Sequence, residues 1–361
     1  MLKLPGLIDI HVHMREPGQT HKEDFSSGTA AALSGGVTTI LAMPNTNPPI
    51  VDSDTFSTVL NIAERKAYCD YGIFIGANLS NAKQIPSLAQ KAAGLKMYLD
   101  ITFGPLLLND TDAWLDHFEN WPDNRPIVAH AEGTNIPALI LVANLFNRHV
   151  HICHVARRSE IHMIRAAKEK GYPVTCEVGP QHLFLSTEDF MRLSQNGKYP
   201  GRKEVRPRLA DPEDQMALWD NLAFIDCFAT DHAPHALYEK DNQNPPPGFP
   251  GVDIALPLYL TAVHEGRLTL DDIVSRMYTN PLKIFHISEQ LDTWIEVDPD
   301  AEYLIRGSQS LSKSKWTPYE GWKVRGKVES VTLRGVNVYK QGEILTKPGF
   351  GKNIRSKESG N

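Results

Sequence analysis

The chain has 361 residues, 41% of them hydrophobic, and a formal net charge of −6 at pH 7; this is enough apolar content for a barrel-sized core, and without a basic run interleaved with aromatics it excludes a nucleic-acid surface. No apolar stretch reaches the roughly 18 residues of a membrane span and no basic segment with an apolar core opens the sequence, so the expectation is a cytoplasmic protein acting on a small molecule. The four cysteines, Cys69, Cys153, Cys176 and Cys227, have no framework spacing, which fits a reducing compartment.

Along the chain, β-rich apolar runs alternate with segments of helical period. "LIDIHVH" from Leu7 precedes "EDFSSGTAAALSGG", "VTTILAM" from Val37 precedes "DTFSTVLNIAERKA", and "YGIFIGA" from Tyr71 and "GLKMYL" from Gly94 precede "DTDAWLDHFENW". "PIVAHA" from Pro126 leads to "IPALILVANLFNR", "VHICHV" from Val150 to "SEIHMIRAAKEKG", and "PVTCEV" from Pro173 to "DPEDQMALWDNLAF", before the last run, "DCFATDH" from Asp226. Gly35, Gly36 and Gly171 stand where helix C-caps belong. Eight such runs predict an α/β fold, a (β/α)8 barrel over residues 1–290. After about Asp292, "TWIEVDP", "AEYLIRG" and "KVESVTLRGVNVYKQGEIL" predict short strands of a small β satellite packed on the barrel over 291–348, with a frayed tail or linker over 349–361. "MLKLPG" is expected to leave no room for strands ahead of the barrel, as if the chain were excised from something larger.

In this fold active sites are built at the C-terminal ends of the strands, and that is where the unusual polar residues fall. His11 and His13 end the first run on one face, since residues i and i+2 of a strand project together. Lys96 lies in the fourth run, His130 ends the fifth, His154 the sixth, Glu177 the seventh and Asp231 the eighth. One strand histidine is usually a hydrogen-bonded core residue, but metal-compatible groups on five strand ends together imply a metal centre. Lys96 is the odd member, because an ammonium has no lone pair for a metal. It is either peripheral or altered: a neutral amine that takes up carbon dioxide becomes a carbamate, an anion able to bridge two metals.

"LPGLIDIHVHMREPG", "AMPNT", "GLKMYL", "VAHAE", "HICHVA", "EVRP" and "ATDHAPH", in this order over nearly the whole chain, resemble the amidohydrolase superfamily. Within it they are similar to the dihydroorotase domains of animal-type multifunctional pyrimidine-synthesis polypeptides. The resemblance implies a binuclear zinc barrel that reversibly cyclises N-carbamoyl-L-aspartate to L-dihydroorotate. It makes His11, His13, Lys96 and Asp231 ligands of one zinc, and His130, His154 and the carboxylated Lys96 ligands of the other. It makes Asp231 the catalytic general base and, in ring opening, the general acid. Arg15, Asn45, Arg206, His235, Pro247 and Gly248 become substrate-binding residues, and Cys153 with Glu177 a site for a possible third zinc. Covalently linked carbamoyl-phosphate synthetase and aspartate transcarbamoylase domains, and a homodimer, are the partners it implies. Where related sequences usually read Ala-Pro-His-His, this chain has "GPQH", residues 179 to 182, so Gln181 cannot supply a second imidazole.

Arg15 distinguishes a dihydroorotase from its rivals, because a guanidinium pairs with a ring carboxylate that dihydropyrimidines, hydantoins and allantoin lack. A non-catalytic scaffold is the rival of another class, opposed by the filled ligand positions. "NQNPPPGFPG", residues 242 to 251, follows the last barrel run and is expected to act as a lid, with Phe249 packing over the pocket.

Overall fold

All six residues of Leu7–Val12 and all six of Val37–Ala42 are buried; this is the mark of parallel strands covered on both faces, for which a continuous Val/Ile/Leu run replaces alternation. In the computed structural model, which describes residues 1–356, these two strands pair with Asp70–Ile73 in a parallel arc. Phe74 interrupts that third strand, and Ile75–Gly76 starts a second parallel arc through Leu95–Tyr98, Ile127–His130, Val150–Ile152, Val174–Val178 and Cys227–Phe228. A parallel bridge from Val12 to His232 closes the ring. All eight sequence runs therefore become barrel staves, although "DCFATDH" keeps only two residues of regular strand before it turns into the site.

The six expected helices are present, from Phe25–Ser34 to Pro212–Asp220. Asp24 and Asp52 cap their helices through side-chain oxygens that accept amide hydrogens, and Gly36, at φ +80°, ends the first in the left-handed conformation. Only a 3₁₀ turn, Ile85–Leu88, separates the third and fourth strands. The eighth unit is completed by Ala255–His264, a helix the sequence reading missed. Its "ALPLYLTAVH" is buried at seven positions and shows no polar stripe, because the barrel packs on one side and the satellite on the other.

The satellite is a five-stranded antiparallel sheet in the order Leu2–Pro5, Trp294–Leu304, Lys323–Leu333, Val336–Lys340 and Glu343–Ile344. Two expectations are corrected here. "TWIEVDP" and "AEYLIRG" form one strand with register shifts, and "MLKLPG" forms an edge strand, in register with Trp294–Val297 through residues 2–5. Leu4 turns inward, and the Lys3 ammonium lies 3.7 Å from the centre of the Trp294 ring. The tail is corrected too as far as Ser356. Gly351 donates to Ala67 O, Ile354 to Tyr71 O, and the Arg355 guanidinium to the carbonyls of Phe285 and His286. Residues 357–361 of the expected linker lie outside the described residues.

Gly326 sets the docking distance between satellite and barrel. It sits at φ +90°, and a Cβ there would approach Leu260 to 2.4 Å. Gly326→Ala is expected to cost about 1–3 kcal/mol from backbone strain and overpacking, lowering Tm in differential scanning calorimetry while metal content stays unchanged.

Candidate metal centre

The strand ends deliver their polar side chains into one buried cluster. His11 Nε2 and His13 Nε2 lie 3.4 and 3.0 Å from Asp231 Oδ1. One ligand atom each from His11, His13 and Asp231 lie mutually within 4.8 Å, and so do those of His11, Cys153 and His154. His130 Nδ1 and His154 Nε2 meet at 2.9 Å. Their other ring nitrogens are buried and have no hydrogen-bond partner, although Glu132 Oε1 stands 3.3 Å from His130 Nε2. Lys96, fully buried, points its Nζ at Cys153 Sγ at 2.7 Å and at the Tyr98 ring at 5.0 Å, and no carboxylate pairs with it among the described residues.

This donor set fits metal binding. Buried imidazoles, a carboxylate and a thiol converge, two imidazole nitrogens are unpartnered, and N, O and S ligands of this kind suit zinc. Hydrogen bonds also fix which nitrogen each histidine presents. His13 Nδ1 is 2.7 Å from Asn45 Oδ1, which can only accept, so Nδ1 carries the proton and Nε2 faces Asp231 with a free lone pair. His11 Nδ1 is 2.5 Å from Glu177 Oε1, and Glu177 Oε2 is 3.1 Å from His151 Nε2. Glu177, expected beside Cys153 as a ligand, is thus engaged by two histidines, and the convergent group around Cys153 is His11 and His154.

Without metal the charges are arranged differently. Burial is the largest single influence on His11 and would depress it, but Glu177, Cys153 and Asp231 together outweigh it and raise the imidazolium to about 10. Burial lowers His13 to about 4 and His154 well below the usual range. Asp231 resists its own burial because His11 and His13 hold it low, so it is ionised at neutral pH. Arg15, His154 and Asp231 have φ of +58°, +32° and +46°, left-handed values that cost a non-glycine residue about 1–3 kcal/mol and cluster at functional sites.

Next to this centre is a cationic pocket. Arg15 is buried; its Nε donates to Pro234 O at 3.1 Å and Nη2 lies 3.0 Å from His235 Nε2. Burial lowers the guanidinium to about 10, which leaves it charged at neutral pH. Lys22 Nζ stands 3.2 Å from His235 Nδ1 and 4.6 Å from the Phe103 ring, which also lies 5.0 Å from the guanidinium carbon of Arg15. His235 reaches Pro247 O at 3.0 Å. Asn45 touches the pocket only indirectly, donating from Nδ2 to Phe103 O at 2.9 Å. Arg206 stands apart, with Nη1 on Glu204 Oε2 at 3.2 Å and Val205 O at 2.9 Å.

The lid expectation is corrected. Phe249 packs edge-on against Trp316 in a core cluster with Leu185, Leu258 and Tyr319, and the aromatic over the pocket is Phe103. The segment 242–251 is also tied down at its end: Gly248 N donates to Glu204 O at 3.0 Å and Ala233 N to Phe249 O at 2.8 Å.

Sequence reasoning missed Lys22, Tyr98, His151 and His182. His151 and Tyr98 could have been found, since each lies two residues from a singled-out residue, Cys153 or Lys96, and shares its strand face. Lys22 carries no local signal. His182, in "GPQH", is buried with neither ring nitrogen partnered and feels the charges of Asp231 and Glu132, so the histidine left in that motif faces the centre.

The barrel with a His/Asp/Lys centre at its C-terminal mouth defines an amidohydrolase, and the Amidohydrolase family model matches residues 2–290; the chain belongs to that family. It is 54% identical over 99% of its length to "Multifunctional protein CAD" of Squalus acanthias, of which it spans 16%. It is 36% identical over 96% of its length to a "Dihydroorotase" of Pyrococcus horikoshii, covering 82% of that chain. Among solved structures it resembles an "Inactive dihydroorotase-like domain" of a Chaetomium thermophilum CAD-like multifunctional protein, with a TM-score of 0.82, 29% identity and 98% of both chains covered.

The metal-free centre has a pH signature. With His11 raised to about 10, its stabilisation is complete below about 6.5, its unfolded value, and is lost as pH rises toward 10; with His13 lowered to about 4, its contribution is lost as pH falls from 6.5 toward 4. The metal-free chain should therefore have its highest Tm near pH 6.5 and lose stability on both sides. Zinc should flatten the alkaline limb, because its uptake displaces the His11 proton. An alkaline limb unchanged by zinc would show that His11 does not coordinate.

Proposed function

We propose that this chain is a zinc-dependent dihydroorotase that interconverts N-carbamoyl-L-aspartate and L-dihydroorotate. The observation that carries the reading is Arg15, a buried, charged guanidinium held beside His235 and Lys22 at the edge of the metal-ligand cluster. Lys22 is paired with Glu239 at 3.2 Å, whereas Arg15 has no carboxylate partner among the described residues, and a buried charge is costly unless it is paired, so the guanidinium calls for an anion. A ring carboxylate is the feature that separates dihydroorotate from uncharged dihydropyrimidines and hydantoins. The Pyrococcus relative, named a dihydroorotase along most of its length, supports the same reading.

In this reading His11, His13 and Asp231 would hold one zinc and His130 and His154 the other, and Lys96, once carboxylated, would be a ligand to both. When bound, the metal pair supplies Lewis-acid polarisation of a carbonyl oxygen and a lowered pKa for water. The protein supplies the rest. Arg15 takes the substrate carboxylate in paired hydrogen bonds, with His235 and the backbone of Pro247 and Gly248 beside the ring. Asn45 keeps His13 in its ligating tautomer, and Arg206, whose charge reaches Glu132, would have to leave Glu204 to touch the substrate. In cyclisation the Asp231 carboxylate accepts the proton of the carbamoyl nitrogen as that nitrogen bonds to the side-chain carboxyl carbon, and the C–O bond to one carboxyl oxygen breaks, that oxygen leaving as water with the Asp231 proton and one proton from solvent; in ring opening water adds to the carbonyl carbon, the C–N bond breaks and Asp231 returns the proton to the leaving nitrogen. A third zinc at Cys153 and Glu177 would have to compete with the hydrogen bond that His11 Nδ1 donates to Glu177.

The inactive dihydroorotase-like domain keeps a scaffold reading in view; against it, every expected ligand position of this chain is filled. The chain spans 16% of the Squalus acanthias protein, which supports a domain of a larger polypeptide; we extend the reading to covalently linked carbamoyl-phosphate synthetase and aspartate transcarbamoylase domains, a homodimer and the cytoplasm. No helix of the described residues is long and apolar enough to cross a membrane.

Two variants test the reading. Lys96→Ala should abolish turnover and release much of the zinc; two tightly held zincs with near-normal turnover would refute the bridge. Arg15→Met should keep its metal and lose tens- to thousands-fold in kcat/KM for dihydroorotate, the equivalent of roughly 2–5 kcal/mol for one partner of a desolvated charge pair. An equal loss toward dihydrouracil would assign Arg15 a structural role.

A further inference from the structure

The opposite end of the barrel contains a second cavity, of about 340 Å³, at the N-terminal ends of the strands from Pro126 to Asp226. Its size is that of a small-ligand pocket. Its walls include Arg125, His149, Thr175, Asn280, Lys283 and His286. The two carboxylates there are already taken: Asp123 pairs with Arg148 and Asp226 with Lys168. Lys283 has no ion pair among the described residues, and the Arg125 guanidinium donates to Ala89 O, Asn124 O and Gln90 Oε1, none of them a carboxylate. Arg355, close enough to feel the charge of Arg125, is likewise bonded only to backbone carbonyls. Three cations without a carboxylate therefore surround this end of the barrel, while His149 and His286 leave their imidazole nitrogens unbonded among the described residues.

One wall residue leads inward. Thr175 Oγ1 lies 2.8 Å from His151 Nδ1, His151 Nε2 lies 3.1 Å from Glu177 Oε2, and Glu177 Oε1 lies 2.5 Å from His11 Nδ1. A continuous hydrogen-bonded chain thus runs along the barrel interior from the cavity wall to the first residue of the metal centre. The hydroxyl of Thr175 can donate to His151 or turn to an acceptor in the cavity, and an anion there would compete for it.

We propose that this cavity binds a compact dianion, with phosphate or paired carboxylates as its charged groups, and that Thr175 transmits its occupancy to the metal centre. Lys283 supplies the direct charge, Asn280 and the two imidazoles supply orientation, and Arg125 and Arg355 supply the field. The inference concerns a site apart from the one proposed to bind dihydroorotate, although its turnover readout rests on that reading. The test is isothermal titration calorimetry of the zinc-loaded chain with inorganic phosphate and, separately, succinate. It is run on the intact protein, on Lys283→Ala and on Arg15→Met. At least one anion should bind the intact chain and Arg15→Met alike and bind Lys283→Ala at least tenfold more weakly; heat from phosphate alone assigns the site to phosphorylated ligands, and heat from succinate alone to dicarboxylates. Saturation should then change turnover of the intact chain and leave Thr175→Val unaffected. Absence of heat from both anions, equal affinity in Lys283→Ala, or loss of binding in Arg15→Met overturns the site. An unchanged turnover, or the same change in Thr175→Val, overturns the coupling. If the chain turns over no dihydroorotate, the calorimetric arm still decides the site, and zinc affinity with and without the anion takes the place of turnover.

Discussion

A carboxylate shut away from water organises the centre. Glu177 is buried at the end of its strand and held ionised against its own desolvation by His11 and His151. Left unpaired it would cost several kcal/mol, so the two imidazoles are obliged to face it. That obligation turns the His11 ring until its Nε2 points to Asp231, and it leaves His151 spanning Glu177 and Thr175. The ligand geometry of the first strand thus depends on the seventh, which is possible only because the barrel brings them across one interior.

The cationic pocket obeys a similar constraint with the opposite sign. Arg15 and Lys22 are buried around one imidazole, and both are pushed down by desolvation. His235 responds by staying neutral, held well below its usual range by its burial and the neighbouring cations. A neutral His235 has one proton: donated from Nε2 to Pro247 O, it leaves Nδ1 to accept from Lys22, and Arg15 Nη2 then meets no acceptor. The pocket is therefore short of one acceptor beside a guanidinium, the deficit that the proposed substrate carboxylate would meet. The left-handed backbone of Arg15 and Asp231 places both side chains at the same mouth, a strain tolerated because each is fixed on several sides.

Much of this was legible in the sequence, for physical reasons that also set the limits. Doubly buried strands announce themselves as apolar runs, and a histidine or acid at the end of such a run has nowhere to project except the barrel mouth, so His11, His13, His130, His154 and Asp231 could be placed together. Lys96 stood out because an ammonium among apolar neighbours needs a reason. What stayed hidden depends on contacts distant in sequence. The role of Asn45 as the partner of His13 spans 32 residues; Lys22 joins the pocket through a turn without periodicity; the helix Ala255–His264 has no polar face because it is sandwiched between two sheets. The strand Leu2–Pro5 gains its identity only from Trp294–Val297, far along the chain.

The segment 242–251 shows why composition misled. Four prolines and two glycines describe a stiff loop with permissive joints, and such a loop is equally suited to moving as a lid or to being pinned. The deciding residue is Lys240, fully buried, whose Nζ donates to Glu204 O at 2.6 Å, Pro246 O at 2.9 Å and Gly248 O at 3.3 Å. Prolines cannot donate hydrogen bonds, so the carbonyls of this segment had to find a donor elsewhere, and one ammonium meets two of them, Pro246 O and Gly248 O, while its third bond ties them to Glu204 O. Burial lowers Lys240 to about 7, yet the fixed carbonyls reward the charged form. The result is a rigid shelf: Pro247 O is held where His235 can reach it, Gly248 adopts φ +143° in a space where a Cβ would strike Ala233 O at 2.5 Å, and Phe249 anchors the end in the core. A loop fastened in this way contributes to the pocket by holding His235 still, and the open side of the mouth is that of Phe103, whose neighbours Ile101 and Pro105 are exposed.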